Sequence, residues 1–158
     1  MGDNVKVIIT AGGTGGHIYP ALSIIKKIKE KEPDSEFIYI GTHNRMEKDI
    51  VPTYNIKYIP LEIYGLSKEN IKRDIKNIFL IKKAYKKCIN IMKDFKPDIV
   101  IGVGGYVTYP VILAAHKLKI KTFIHEQNSI PGKSNKILSR IVDGVGVSFK
   151  DSSVYFKD

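Results

Sequence analysis

The stretch Val5-Lys6-Val7-Ile8-Ile9-Thr10-Ala11-Gly12-Gly13-Thr14-Gly15-Gly16-His17-Ile18-Tyr19-Pro20 decides the reading of this chain. Val5–Thr10 is apolar enough to be a buried strand, and Pro20 to Lys31 has the period of a helix, so four glycines sit at a strand-to-helix turn. Glycines there admit a ligand close to the backbone. The helix that follows offers unpaired N–H groups and a partial positive charge, which suits a phosphate or diphosphate. A tight structural turn satisfies the same residues, so the loop gains meaning only from what surrounds it.

Working outward, further apolar runs at Phe37–Gly41, Tyr58–Leu61, Ile99–Val103, Thr122–Ile124 and Val145–Ser148 alternate with helical stretches near 20–31, 45–53, 69–95, 107–118 and 132–140. Pro33, Pro97, Asp34 and Asp98 punctuate them. Strands that are apolar throughout belong in a parallel sheet covered on both faces, so the expected fold is α/β, a doubly wound parallel sheet in a single domain over 1–158. In such sheets ligands bind beyond the carboxyl ends of the strands. That rule gathers three loops at one edge: Gly12–His17, Gly102–Tyr106 and His125–Asn128.

The 158 residues, 43% hydrophobic and 27% charged, can bury a core. Cys88 is the single cysteine, which excludes an internal disulfide and suits a reducing compartment. Met1-Gly2-Asp3-Asn4 carries acid where a signal peptide carries base, so secretion is not expected. The uncharged run Ile99–Ala115 is too short for a membrane span and is broken by Gly102, Gly104, Gly105 and Pro110. A net charge of +10 points to an anionic partner, and nine of the 26 Lys and Arg fall between Leu66 and Phe95.

Several ligand classes drop out on spacing. A dinucleotide fingerprint counted from Gly13 meets Ile18 where its last glycine belongs, and counted from Gly102 it meets Val107. A P-loop needs Gly-Lys-Ser/Thr where His17-Ile18 stand. No Asp-x-Asp pair or paired His/Cys spacing appears, so neither a metal nor another cofactor is expected.

Taken together, Ala11–His17 with Pro20, Gly41-Thr42 with Glu47, Gly65-Leu66, Gly104-Gly105-Tyr106 with Pro110, and His125–Asn128 with Pro131-Gly132 and Asn135 resemble the MurG family. These are bacterial inverting transferases that move N-acetylglucosamine from UDP-GlcNAc to undecaprenyl-diphospho-muramoyl-pentapeptide in peptidoglycan synthesis. The resemblance implies a Rossmann-like N-terminal domain of a GT-B glycosyltransferase, the acceptor-binding half, inactive alone without a donor-binding second domain. It implies donor contacts from Thr14, Gly15, Gly16 and Asn128, and an acceptor pocket lined by Gly12, Gly13, Gly104, Gly105 and Tyr106. The family usually has an arginine after Gly-Leu; this chain has Ser67 and then Lys68.

Transfer needs a base for the acceptor hydroxyl. His17 is the first candidate, because an imidazole titrates near working pH and the positive end of a helix favours its neutral form. Orienting the loop is its other possible role. Glu126 is the rival base, with anchoring of its neighbours as the alternative; His125 and Gln127 are read as supporting residues.

At a helical period Ile71, Ile78, Ile81, Tyr85, Cys88 and Met92 form a stripe expected to pack on the sheet. Phe79 points away, among Lys72, Lys76, Lys83 and Lys86, with Ile75 at the edge. A ring among lysines suits an anionic membrane surface, each lysine contributing about 1 kcal/mol, and the resemblance places such a surface on the cytoplasmic face of the bacterial membrane, peripherally. A solvated lysine face is the alternative. Two rival functions remain: a non-catalytic acceptor-binding or membrane-recruiting subunit of a split transferase, and a nucleic-acid binder. Only charge suggests the latter, and no nucleic-acid partner is expected.

Overall fold

The computed structural model describes residues 4–67 and 69–156. Six strands form one parallel sheet: β1 (Lys6–Ala11), β2 (Glu36–Thr42), β3 (Lys57–Leu61), β4 (Ile99–Gly104), β5 (Lys121–Glu126) and β6 (Gly144–Val147), in the order β3-β2-β1-β4-β5-β6. The helices are α1 (Gly15–Lys31), α2 (Glu47–Ile50), α3 (Ile71–Phe95), α4 (Thr108–Lys117) and α5 (Lys133–Leu138), with 3-10 turns at Val51–Tyr54 and Lys150–Tyr155. The expected doubly wound α/β fold is what forms.

Alternation along β1 shows how the two faces are used. Val7, Ile9 and Ala11 pack with Ile18, Ala21, Leu22 and Ile25 of α1. Ile8 points the other way, into a core built with Ala84, Cys88 and Met92 of α3, Val111 and Ala114 of α4, and Leu138 of α5. Both faces are therefore covered, which is why the strands lack polar alternation. Cys88 is fully buried there, and burial pushes its thiol up to about 12.

Two expectations are corrected. The first helix begins at Gly15, not Pro20, so Gly15, Gly16 and His17 form its opening turn. Pro20 lies inside the helix; its missing N–H removes the donor to the Gly16 carbonyl without ending the helix. The second concerns α3. Ile71 and Ile78, expected on the sheet, are 74% and 50% exposed. Length explains this: 25 helical residues run about 37 Å at about 1.5 Å each, whereas strands of five to seven residues span only about 17–23 Å. The helix outruns the sheet, and its first turns overhang.

Candidate active site

The chain runs from β1 through β2 to β3 on one side, then crosses back so that β4 lies against the other side of β1. The crevice beyond the carboxyl ends of β1 and β4 is the switch point at which doubly wound sheets bind ligands. Here the register shifts: Thr10 pairs with Gly102 but Ala11 with Gly104. The bulge turns the end of β4 toward the first loop, and Gly12 N–H donates to the Gly104 carbonyl at 3.2 Å.

This close approach requires glycine at two positions. Gly104 and Gly105 have φ of +125° and +93°. A Cβ built on Gly105 would lie 2.5 Å from the Gly12 carbonyl oxygen; one on Gly104 would lie 2.6 Å from His17 Cδ2 and 2.8 Å from Nε2. The imidazole thus occupies the space that a side chain at 104 would take.

His17 is held by the loop it belongs to. Its Nδ1 lies 3.0 Å from the Gly12 carbonyl oxygen, an acceptor only, so Nδ1 carries the hydrogen and donates it. In the neutral ring this puts the lone pair on Nε2. Thr14, the extended residue before α1, directs its hydroxyl not to the helix N–H groups but to 3.4 Å from the same Nδ1. In the first turn, the His17 and Ile18 N–H groups donate to the Thr14 carbonyl. Thr14 and Gly16 are exposed at this positive helix end.

Beneath the loop are two groups to which no role was given from the sequence. Glu47 is fully buried; its Oε1 accepts from the Thr42 N–H at 2.9 Å and the Thr42 hydroxyl at 2.5 Å, and a Cβ on Gly12 would come within 2.6 Å of it. Its Oε2 has no hydrogen-bond partner among the described residues. Tyr39, also fully buried, donates to the Ala11 carbonyl at 3.0 Å, and burial raises its phenol above the usual tyrosine range. The Gly41-Thr42 spacing to Glu47 was the available signal, since a carboxylate five residues on can reach back to cap a strand end.

Glu126 ends β5 and is 2% exposed. Its Oε1 accepts from the Asn128 N–H at 2.9 Å and Asn128 Nδ2 at 3.0 Å; its Oε2 accepts from the Gly132 N–H at 3.2 Å and Asn135 Nδ2 at 2.8 Å. Three donors from the loop after β5 and one from α5 occupy both oxygens. Asn128 is exposed, with its Oδ1 not engaged in this clamp. His125 is half-buried, and burial lowers its pKa against the opposing pull of Glu126 and Gln127. Its Nε2 lies 3.3 Å from the Ser148 hydroxyl.

The structure therefore brings Gly12, His17, Gly104 and Gly105 into direct contact, with Thr14 bonded to the same ring. Gly13 continues the loop at φ +95°. Tyr106 turns toward the β3 side, where a Cβ on Gly65 would touch its ring at 3.5 Å. Ser67 N–H donates to Asp74 Oδ1 at 2.9 Å; Lys68 lies outside the described residues. Among the described residues no three His, Cys, Asp or Glu side chains gather into a group able to hold a metal ion.

On the overhang of α3, Ile71, Ile75, Ile78 and Phe79 are exposed, Phe79 by 66%, and Leu66 beside them by 70%. Lys72, Lys76, Lys83 and Lys86 are exposed along the same helix. No helix among the described residues is long and apolar enough to cross a membrane.

Residues 7–147 match the glycosyltransferase family 28 N-terminal domain. The chain is 48% identical over 152 residues to the UDP-N-acetylglucosamine--N-acetylmuramyl-(pentapeptide) pyrophosphoryl-undecaprenol N-acetylglucosamine transferase of Bacillus pumilus, covering 96% of this chain and 42% of the relative. It is 49% identical over 155 residues to the transferase of the same name from Alkaliphilus oremlandii, covering 97% and 42%. The crystal structure of Acinetobacter baumannii MurG superposes with a TM-score of 0.82 at 35% identity, over 93% of this chain and 42% of that one. The UDP-GlcNAc 2-epimerase of Methanocaldococcus jannaschii, at 18% identity and a TM-score of 0.67 over 96% and 42%, shares the fold alone. The chain spans about two-fifths of the length of the curated relatives it matches. With its switch-point loops and a family match over nearly all of its length, the chain belongs to glycosyltransferase family 28 and carries that family's N-terminal domain.

Proposed function

We propose that this chain is the acceptor- and membrane-facing half of an inverting transferase that moves N-acetylglucosamine from UDP-GlcNAc to a lipid-linked muramoyl-pentapeptide. The observation that carries the reading is the His17 Nδ1 bond to the Gly12 carbonyl at 3.0 Å, which supports a ring whose Nε2 is a ready proton acceptor. In the step proposed, Nε2 takes the proton of the acceptor sugar hydroxyl while that oxygen bonds to the anomeric carbon. The bond from that carbon to the UDP diphosphate oxygen breaks with its electron pair, and the configuration inverts. No metal ion is called on.

Gly12, Gly13, Gly104, Gly105 and Tyr106 line the acceptor side. Thr14, Gly15 and Gly16 at the positive end of α1, with Asn128 across the crevice, face the donor, whose diphosphate such a helix end favours. Glu126 serves as the anchor of the Asn128 loop instead of as a base, because a base must offer a free lone pair and four donors occupy its oxygens. The overhang of α3 seats on the cytoplasmic leaflet, Ile71, Ile75, Ile78 and Phe79 entering the headgroup region among Lys72, Lys76, Lys83 and Lys86.

The test is titration of the chain with a soluble short-chain analogue of the lipid-linked muramoyl-peptide diphosphate, followed by amide NMR. Saturable shifts at Gly12–His17 and Gly104–Tyr106 are expected. Unmoved resonances there at millimolar analogue would refute the reading. With a donor-binding half supplied, His17→Asn should lower kcat by about 10²-fold or more while leaving the acceptor KM nearly unchanged.

A further inference from the structure

The loops after β2 and β3 hold a polar pair that the reading above leaves without a task. His43 extends the β2–β3 ladder by one residue, its N–H donating to the Leu61 carbonyl at 3.1 Å. Its ring Nδ1 lies 3.3 Å from that carbonyl oxygen, and its Nε2 lies 3.2 Å from Tyr64 Oη. The two rings meet edge to face, centroids 5.1 Å apart at 88°. Tyr64 is 36% exposed and His43 only half-buried, so the pair forms a rim, not a core contact.

Tyr64 is fixed from below. Asn77 of α3, 1% exposed, accepts from the Tyr64 N–H through Oδ1 at 2.8 Å and donates from Nδ2 to the Tyr64 carbonyl. A buried amide is costly unless both ends are paired. Here both ends hold the main chain of one rim residue, which fixes it without engaging the phenol. Next to it, Gly65 lies against the Tyr106 ring. Tyr64 therefore stands between the acceptor loop at Tyr106 and the overhanging turns of α3 that carry Ile75, Ile78 and Phe79.

We infer that His43 and Tyr64 form a phosphate-oxygen contact on the path by which the acceptor's diphosphate passes from the bilayer to His17, an inference that rests on the function proposed above. The chemistry is a choice of tautomer. With hydrogen on Nδ1, the ring donates to Leu61 O and the phenol donates to Nε2. With hydrogen on Nε2, the ring donates to Oη and the phenol hydrogen turns outward to a phosphate oxygen. An anion at the rim selects the second state, and the long 3.3 Å Nδ1 contact is little to give up. Phospholipid headgroups offer the same oxygens. Asn77 ties Tyr64 to the overhang, but the neighbouring Gly65 seats against the Tyr106 ring of the acceptor loop, which assigns the pair to the prenyl diphosphate.

The experiment titrates isotope-labelled chain, wild type and Tyr64→Phe, with geranyl diphosphate, and separately measures binding to phosphatidylglycerol vesicles. Phenylalanine keeps the ring contact and both Asn77 bonds, so the fold should persist; an unchanged Tm checks it. Expected are saturable shifts of the His43 ring resonances and about ten-fold weaker diphosphate binding by Tyr64→Phe, the low end for one hydrogen bond to a charged group, as suits a wet rim, with vesicle binding unchanged. Equal affinity of both proteins, with shifts confined to Gly12–His17 and Gly104–Tyr106, would overturn the role of the pair and leave the proposed function standing. Loss of vesicle binding alone would overturn it in favour of a headgroup contact. Shifts at His43 with none at Gly12–His17 would support the pair and count against the proposed function. No shift anywhere would overturn both.

Discussion

Replacing Gly104 with alanine tests whether the crevice is built as described. At φ +125° an L side chain is strained by roughly 1–3 kcal/mol. The new methyl would also lie 2.6 Å from His17 Cδ2, and relieving that contact displaces the imidazole from the Gly12 carbonyl at a cost of about 1–3 kcal/mol. Together these predict a destabilisation of about 2–6 kcal/mol, with a midpoint of about 4 kcal/mol that lies below a total stability of about 5–15 kcal/mol, so the variant folds. At about 2–4 °C per kcal/mol for a chain of this size, the midpoint lowers its Tm by roughly 8–16 °C. Gly132→Ala is the control: it has no positive φ, and nothing lies within 4 Å of a Cβ there, so its stability should stay within about 0.5 kcal/mol of wild type. Thermal unfolding by circular dichroism gives both values, and the His17 ring resonances report the lost bond. If Gly104→Ala matched the control within about 2 °C and the His17 signals did not move, the reasoning would be wrong.

Other expectations follow from the same geometry. Glu126→Gln removes an acceptor oxygen from a buried clamp of four donors and should cost about 3 kcal/mol, with amide exchange at Asn128 and Gly132 accelerating; unaltered exchange would contradict the clamp. His125 has a folded pKa below its unfolded value of about 6.5, so the unfolded chain takes up the proton first. Its contribution is present above about 6.5 and is lost as pH falls from there toward the folded value. Urea midpoints at about pH 7.5 and about pH 5.5 should therefore differ more for wild type than for His125→Gln, and equal differences would rule this out. Phe79→Ser should weaken binding to anionic vesicles by about ten-fold with Tm unchanged, because the ring is already 66% exposed; a matching fall in Tm would place the ring in the core instead.

Much of this fold was legible because the central strands β1, β2 and β4 are nearly continuous apolar runs and the loops between strands are punctuated. The gathering of Gly12–His17 and Gly104–Tyr106 at one edge followed from the topology rule alone. What the residues could not convey was length mismatch: a helical wheel places Ile71 and Ile78 on the same stripe as Cys88, and only the shorter sheet beneath α3 shows where that stripe loses its partner. Pro20 misled for a related reason, since a proline reads as a helix start although the helix had already begun at Gly15. Asn77 left a trace that went unused. It shares the helical face of Ile81, Ala84 and Cys88, and a lone amide in a packed stripe must find partners, here the main chain of Tyr64. The roles of Glu126 were open in the sequence because a carboxylate that anchors and one that abstracts a proton are the same residue; the four donors around it, which favour the anchor proposed above, come from positions that no spacing rule brings together.

The overhang of α3 divides one helix into two regions of unequal local stability. From Leu80 onward its amides are shielded by the core and should open only with the whole domain. From Ile71 to Phe79, where Asn77 alone is buried, they should open by fraying, at far lower free energy. Hydrogen exchange across this single helix would then contain its own internal reference. Slowing confined to the first nine residues in the presence of vesicles would record contact with lipid, free of any change in the fold. Evolution has the same freedom, since side chains that bury nothing in the core can be exchanged with little effect on folding, whatever surface they meet.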